Sequence, residues 1–315
     1  MLEASGLTKD YGPNRAVDGV TFTIDTGDVV GLLGPNGSGK TTIMRMLTGF
    51  FGPTAGHCRV DGIDVSEDPV GARRRIGYLP ERVSLYPDFS VRAYLTFVGR
   101  MRELGKRLPA HLDESMEAAG LTHMADRQIG KLSLGYRQRV GLAQAIIHQP
   151  AVLILDEPTA GLDPRQIVEI RALIRELAGR ATVLMSTHIL PEVSLTCRRV
   201  LILDHGRLIA DDTAEGLSAR TRGQGRTLVR VAGAGPDQLT ALVGGLEEVV
   251  SVEEASVEAG VVSLIAVAGH ENAGGRIALA VAERGWRLIE ISPAVMSLEN
   301  LFVEMLEKGG AGESR

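Results

Sequence analysis

The chain has 315 residues, 44% hydrophobic and 23% charged, with a formal net charge of -5, a globular composition long enough for about two domains. The acidic balance argues against a broad nucleic-acid surface, and no apolar run approaches the ~18 residues of a membrane span. The amino-terminal residues carry Glu3, Lys9 and Asp10 with no apolar h-region, and the only two cysteines, Cys58 and Cys197, lack metal spacing, so a soluble chain from a reducing cytoplasm with buried thiols is expected.

In chain order, Leu2 to Ile24 reads as short strands broken by turns, with Asp10-Tyr11-Gly12-Pro13-Asn14 a turn cluster and Val17 to Ile24 alternating like a half-buried strand. Tyr11 is either a surface turn tyrosine or a ring that stacks on a flat base. The apolar run Val29 to Leu33 leads into Gly34-Pro35-Asn36-Gly37-Ser38-Gly39-Lys40-Thr41, and a helical pattern from Thr42 to Leu47 leads out. This is G-x-x-x-x-G-K-[ST] in the strand-loop-helix context of a phosphate-binding loop. Its glycines let backbone N–H groups turn inward as an anion nest, and the helix N-terminus adds its dipole. Lys40 can then reach the β- and γ-phosphates of a nucleoside triphosphate, and the Thr41 hydroxyl can ligate Mg²⁺.

Cys58 to Val65 reads as a hairpin about Asp61-Gly62, the basic run Arg73-Arg74-Arg75 as a solvated helix end, and Ile76 to Leu79 as a strand stopped by Pro80-Glu81. A helical stretch from Val91 to about Leu132 is punctuated by Gly105, Pro109 and Gly120. Ser133 is a natural N-cap for the next helix, whose buried stripe holds Val140, Ala143, Ile146 and Ile147. The continuous apolar run Ala151 to Leu155 predicts a parallel strand buried on both faces, delivering Asp156 and Glu157 to its carboxyl end. A helix over Gln166 to Leu177, a strand over Thr182 to Met185 leading to Ser186-Thr187-His188, and a hairpin about Asp204-His205-Gly206-Arg207 follow. Alternating strands and helices predict a largely parallel sheet. Past the linker-like Thr221-Arg222-Gly223-Gln224-Gly225, the order is strand 228–231, helix 236–243, strands near 249–253 and 261–267, helix 271–284, strand 287–291 and a last helix 298–308. The first six make βαββαβ, which predicts a ferredoxin-like domain.

Asp156 at a strand end is placed to hold Mg²⁺, and Glu157 beside it to act as general base on an attacking water, a role worth about 10²–10⁴ in rate.

The ordered set of phosphate loop, Leu132-Ser133-x-Gly135, Leu153-Ile154-Leu155-Asp156-Glu157-Pro158 and Ser186-Thr187-His188 resembles an ATP-binding cassette (ABC) ATPase over about Leu2 to Ala214. The resemblance implies an α/β P-loop NTPase cassette over 1–217, with a mostly parallel sheet core, an antiparallel β subdomain and a helical subdomain over about 82–132. A linker at 218–226 and a small α+β domain at 227–315 complete the expected chain. It implies that Tyr11 stacks on adenine and that Gly34, Pro35, Asn36, Gly37, Ser38, Gly39, Lys40, Thr41 and Thr42 form Walker A. Ser133 and Gly135 would contact the γ-phosphate held by an opposite cassette, Asp163 would be the D-loop aspartate between sites, and His188 the switch histidine. Two positions depart from the family pattern. The signature reads Leu-Ser-Leu-Gly-Tyr, with Leu134 and Tyr136 atypical, and Glu81 stands where most cassettes have the Q-loop glutamine. A carboxylate there still offers an oxygen to Mg²⁺.

Tyr78-Leu79-Pro80-Glu81 is similar to cassettes of ABC-2 exporters, including those linked to gliding motility or copper-enzyme maturation, and Ser297-Leu298-Glu299-Asn300-Leu301-Phe302 resembles an ending of the same branch. The expected protein is an ATP- and Mg²⁺-dependent cytoplasmic subunit on the inner face of the cell membrane. It would pair with a second cassette, like or unlike, and drive a separate integral-membrane ABC-2 permease, with no nucleic acid. A soluble ABC-family factor of translation or DNA repair is the alternative, set against by the single phosphate loop and by only about 90 residues between Lys40 and the signature. A regulator that only binds nucleotide would need a dead site, but Lys40, Asp156, Glu157 and His188 are all in place.

Overall fold

The structure is a computed structural model and describes residues 1–213, 216, 226–258, 260–268 and 273–293. The chain divides into two compact units between residues 214 and 215.

In the first unit, β1 (Leu2–Tyr11) and β2 (Asn14–Ile24) pair antiparallel. Short pieces are expected here, yet the strands run 10 and 11 residues and absorb register shifts after Ala4, Leu7 and Lys9. Bulges of this kind bend a long ribbon without ending it. β4 (Ala55–Val60) and β5 (Ile63–Asp64) complete a sheet of order β2-β1-β4-β5. Their Asp61-Gly62 turn has φ of 51° and 80°, the double positive φ that a two-residue type I′ hairpin needs.

A second sheet has the order β10-β9-β3-β8-β7-β6. β3 (Val29–Leu33), β6 (Ile76–Leu79), β7 (Val152–Asp156), β8 (Thr182–Thr187) and β9 (Arg199–Asp204) run parallel, and β10 (Arg207–Thr213) returns antiparallel at the edge. Every residue of β7 and β8 is buried, which is why β7 reads as an unbroken apolar run rather than an alternation; β8 runs two residues past the expected Met185, to Thr187. α1 (Lys40–Leu47) joins the two sheets: Ile43, Met44, Met46 and Leu47 share one core with Leu2 and Phe22 of the first sheet and Val30 and Ile154 of the second. Each such side chain contributes roughly 1.5–3 kcal/mol by leaving water.

α2 (Pro69–Arg75) starts at an Asp68 cap, and its last turn is Arg73-Arg74-Arg75, the basic helix end expected. The stretch between β6 and the next long helix breaks into α3 (Val91–Met101), α4 (Leu108–Ala118) and three short 3-10 turns. α5 (Leu134–Ile146) and α6 (Pro164–Ala178) start from Ser133 and Asp163 caps. α7 (Leu190–Thr196) was not foreseen; seven residues around Pro191 give no readable period. It packs tightly on β3, where a Cβ at Gly31 would stand 2.4 Å from Val193 Cγ1. Cys58 and Cys197 are free buried thiols, each pushed up to about 12 by burial.

The second unit runs β11 (Arg226–Ala232), α8 (Pro236–Gly244), β12 (Val249–Glu258), β13 (Val261–Ala268), α9 (Ala273–Glu283) and β14 (Arg287–Pro293). Its sheet is antiparallel with order β12-β13-β11-β14, the split-βαβ arrangement of a βαββαβ chain. Val229, Val231, Leu239, Leu264, Ile277 and Val281 form its core. Arg226, expected to end the linker, instead opens β11. Residues 218–225 of that linker, the helix at 298–308 and the Ser297–Phe302 motif lie outside the described residues. Among the described residues no helix is long and apolar enough to cross a membrane.

Candidate nucleotide site

β3 ends at Leu33 in the middle of the parallel sheet, with β8 and β9 on either side. The crevice outside the carboxyl ends of such strands is where open α/β sheets collect ligands. The chain turns there through residues 34–39 into α1, and the turn needs glycine for space. A Cβ at Gly34 would lie 2.4 Å from the Leu203 carbonyl oxygen; at Gly39, with φ 106°, it would lie 2.6 Å from that of Ala16. Lys40, only 6% exposed, donates from Nζ to the carbonyl oxygens of Gly34 at 2.8 Å and Pro35 at 3.0 Å, and stands 3.7 Å from Glu157 Oε1. Burial lowers its pKa, while the carboxylates of Glu157, Asp156 and Glu81 work the other way. Ser38 Oγ is buried without a hydrogen-bond partner. A phosphate oxygen at the nest is an acceptor that would satisfy it.

The acidic wall comes from β7 and β8. Asp156, 1% exposed, accepts at Oδ1 from Ser186 Oγ at 2.6 Å and from Thr41 Oγ1 at 3.4 Å, while its buried Oδ2 has no partner. The Glu157 N–H donates to the same Ser186 hydroxyl at 2.9 Å. Glu157 has φ 48°, a left-handed backbone rare outside glycine. Its Oε2 lies 3.0 Å from His188 Nδ1. A carboxylate only accepts, so Nδ1 carries the hydrogen. A cavity of about 420 Å³ brings Lys40, Thr41, Glu81, Glu157 and His188 together. Glu81 reaches it from an exposed bend after β6.

The remaining expected residues lie elsewhere. Ser133 caps α5 by accepting from the Tyr136 N–H at 3.4 Å. Gly135 is buried under the Gln166 side chain, where a Cβ would meet the carboxamide at 2.8–3.0 Å. With Asp163 they line a separate cavity of about 220 Å³ that shares no residue with the first. Tyr11 lines neither; its ring is 46% exposed and meets Phe51 edge-on at 6.0 Å, with Lys9 Nζ 5.6 Å from its centre.

Sequence reasoning gave no role to Ser186, Gln138, Thr159 or Glu192. Gln138 Nε2 donates to the Pro158 carbonyl at 2.9 Å, tying α5 to the end of β7. Thr159 and Glu192 carried one signal, a polar residue between apolar or proline neighbours, whereas Gln138 sits between Arg137 and Arg139 and carried none.

Residues 17–160 match the ABC transporter family. The chain is 33% identical over 314 residues to the bacitracin transport ATP-binding protein BcrA of Bacillus licheniformis, covering 99% of each. It is 38% identical over 244 residues to the Nod factor export ATP-binding protein I of Rhizobium meliloti, covering 77% of this chain and 72% of the relative. Among solved structures it is similar to CbiO1 of Clostridium perfringens, part of the ABC transporter complex CbiONQ, with TM-score 0.64 and 29% identity over 69% of this chain and 90% of that one. With that end-to-end likeness and a phosphate loop facing an Asp-Glu strand end, the chain belongs to the ABC transporter family as an ATP-binding cassette ATPase.

Proposed function

We propose that the chain is the ATP-hydrolysing subunit of an ABC-2 type exporter, acting on the inner face of the cell membrane through a separate permease. The observation that carries this reading is the match across 99% of both chains to a bacitracin transport ATP-binding protein. The Nod factor export relative supports the outward direction. A soluble factor of translation or repair is not favoured, because both relatives are named for transport or export. The finer likeness, to cassettes of gliding motility or copper-enzyme maturation, rests on Tyr78-Leu79-Pro80-Glu81 and on the Ser297-Leu298-Glu299-Asn300-Leu301-Phe302 ending.

Two cassettes, like or unlike, hold two ATP molecules, each between the phosphate loop of one and Ser133-Gly135 of the other. The two cavities that share no residue support this, since each offers half of a site. Tyr11 stacks on adenine, Gly34 to Thr42 wrap the phosphates, and Asp163 lies between the sites. The residues fit Mg²⁺: Thr41 Oγ1 and the unpartnered Asp156 Oδ2 are hard oxygen donors, with Glu81 across the cavity. When bound, the ion offsets charge on the β- and γ-phosphate oxygens. Glu157 takes a proton from the water as its oxygen bonds the γ-phosphorus. The bond from that phosphorus to the β–γ bridging oxygen breaks, and its electron pair leaves with ADP. His188, held through Nδ1–H by Glu157, presents its other ring nitrogen to the γ-phosphate.

A cavity of about 800 Å³ in the cassette supports a permease contact. It lies along β6 and α3 and is lined by Arg73, Arg74, Arg102 and the exposed Tyr86, Phe97 and Met101. Aromatic and arginine side chains are the usual anchors of protein interfaces.

The test is affinity purification of Glu157→Gln from native membranes with Mg·ATP. A multi-span membrane protein in near-stoichiometric amount is expected. A ribosome, nucleic acid or only soluble protein would overturn the reading.

A further inference from the structure

Among the described residues the hydrolysis step above leaves two buried acids unused, Asp204 and Glu192, and Glu192 is the one tied to the strand ends that carry the site. Glu192 on α7 is 1% exposed. Its Oε2 accepts from Thr159 Oγ1 at 2.7 Å and from Thr187 Oγ1 at 2.9 Å. Thr159 lies two residues beyond Glu157, at the end of β7; Thr187 immediately precedes His188, at the end of β8. On its other side, Oε1 stands 3.7 Å from Arg171 Nη2 of α6, an ion-pair distance without a hydrogen bond. A buried carboxylate is costly unless it is paired and hydrogen-bonded. Only with both strand ends and α6 in place does Glu192 have its partners.

The backbone of Glu157 gives this junction a purpose. A left-handed non-glycine residue persists where its surroundings over-determine it. Ser186 Oγ holds the Glu157 N–H, and the Thr159–Glu192 bond holds the far end of the same turn. The carboxylate oxygen that fixes Thr159 also fixes Thr187, so Glu157 and His188 are registered against one atom. Their own contact is 3.0 Å.

We propose that Glu192 is a positioning residue for ATP hydrolysis, locking the turn that carries Glu157 to the strand end that carries His188. It touches no reacting atom, and the inference rests on Glu157 being the general base. Lys40 is held chiefly by the Gly34 and Pro35 carbonyls, and the loop meets this junction only through the Gly34 N–H to the Thr187 carbonyl at 3.4 Å and Lys40 to Glu157 at 3.7 Å, so losing Glu192 should impair the chemical step more than ATP binding.

The experiment compares ATPase kcat, KM for ATP and Tm of the full chain carrying Glu192→Ala, Glu192→Gln, the pair Thr159→Val with Thr187→Val, and Glu157→Gln. A displacement of about 1 Å at a reacting group costs about 10²-fold, so Glu192→Ala should lose roughly 10- to 100-fold in kcat. KM should stay within about twofold, the signature of an interaction used in the chemical step. Glu192→Gln retains an oxygen acceptor for both hydroxyls and should recover to within about threefold of wild type, whereas a purely charge-based role predicts no such rescue; the threonine pair separates hydrogen bonding from bulk. The threonine pair should reproduce the kcat loss while leaving the Glu192–Arg171 charges in place, and it carries the test where Glu192→Ala fails to fold. Wild-type kcat in Glu192→Ala or in the threonine pair overturns the inference, as does equal impairment of Glu192→Gln and Glu192→Ala. Near-normal turnover of Glu157→Gln would instead overturn the base assignment; an inactive Glu157→Gln beside a normal threonine pair removes only the role of Glu192.

Discussion

The two units bury different kinds of residue. Among the described residues, every buried charged or polar side chain belongs to the first unit, including Lys40, Asp156, Glu157 and Glu192. The buried side chains of the second, such as Val229, Leu264 and Ile277, are all apolar. Burying a charge costs free energy that packing alone does not return. A polar interior therefore marks where the fold gives up stability for chemistry, and the second unit's interior is built only to hold together.

The largest expected effect is on the chemistry of the polar interior. Glu157→Gln should lower turnover by about 10²–10⁴, or roughly 3–5.5 kcal/mol of barrier, while still binding ATP. Single-turnover phosphate release beside nucleotide binding measures both, and unchanged release would break the comparison at its centre. Next, Ile277→Ala should destabilise the second unit by about 2–5 kcal/mol, as large-to-small core changes do. Thermal unfolding should report that loss while kcat stays within about twofold; a tenfold fall in kcat would mean the apolar interior also serves the chemistry.

A third test uses His148, between α5 and β7. Its Nε2 lies 3.0 Å from the Ile76 carbonyl oxygen and its buried Nδ1 has no partner. Burial, and then the Arg102 guanidinium, push its pKa from 6.5 down to about 4. The neutral ring is the folded form, so its contribution is present above pH 6.5 and lost as pH falls toward 4, up to about 3 kcal/mol. Urea unfolding at pH 7 and pH 5 should show a smaller acid loss in His148→Gln than in wild type; equal losses would assign the slope to other groups. The smallest effect is expected of Ser133→Ala, which removes the α5 cap at a cost of about 1 kcal/mol. ATP-dependent dimerisation, followed by light scattering, should weaken; unchanged dimerisation would separate the cap from nucleotide contact.

Legibility in the sequence followed the range of the forces involved. The phosphate loop, the Asp61-Gly62 hairpin and the Ser133 cap are set by neighbours a few residues away, and each stands where local chemistry predicts. The continuous apolar run of β7 announces a strand buried on both faces. The length of β1 and β2 was not legible, because bulges interrupt the alternation that a strand is read by. Glu192 was not legible either: Thr159 is 33 residues away in sequence, and only the parallel pairing of β7 with β8 brings the two strand ends together. That Ser133 and Gly135 line a surface apart from Lys40 is likewise a property of the fold, since residue order alone says nothing of which surfaces face one another.

The left-handed backbone of Glu157 has an evolutionary consequence. Holding a non-glycine residue there costs about 1–3 kcal/mol, which a glycine would largely avoid. Glu157→Gly should therefore melt higher than wild type while losing its carboxylate, and a lower Tm would show that the surrounding hydrogen bonds outweigh the strain. Selection for thermal robustness alone would drift toward that inert chain. The glutamate marks a position where every generation must be screened for work done as well as for folding.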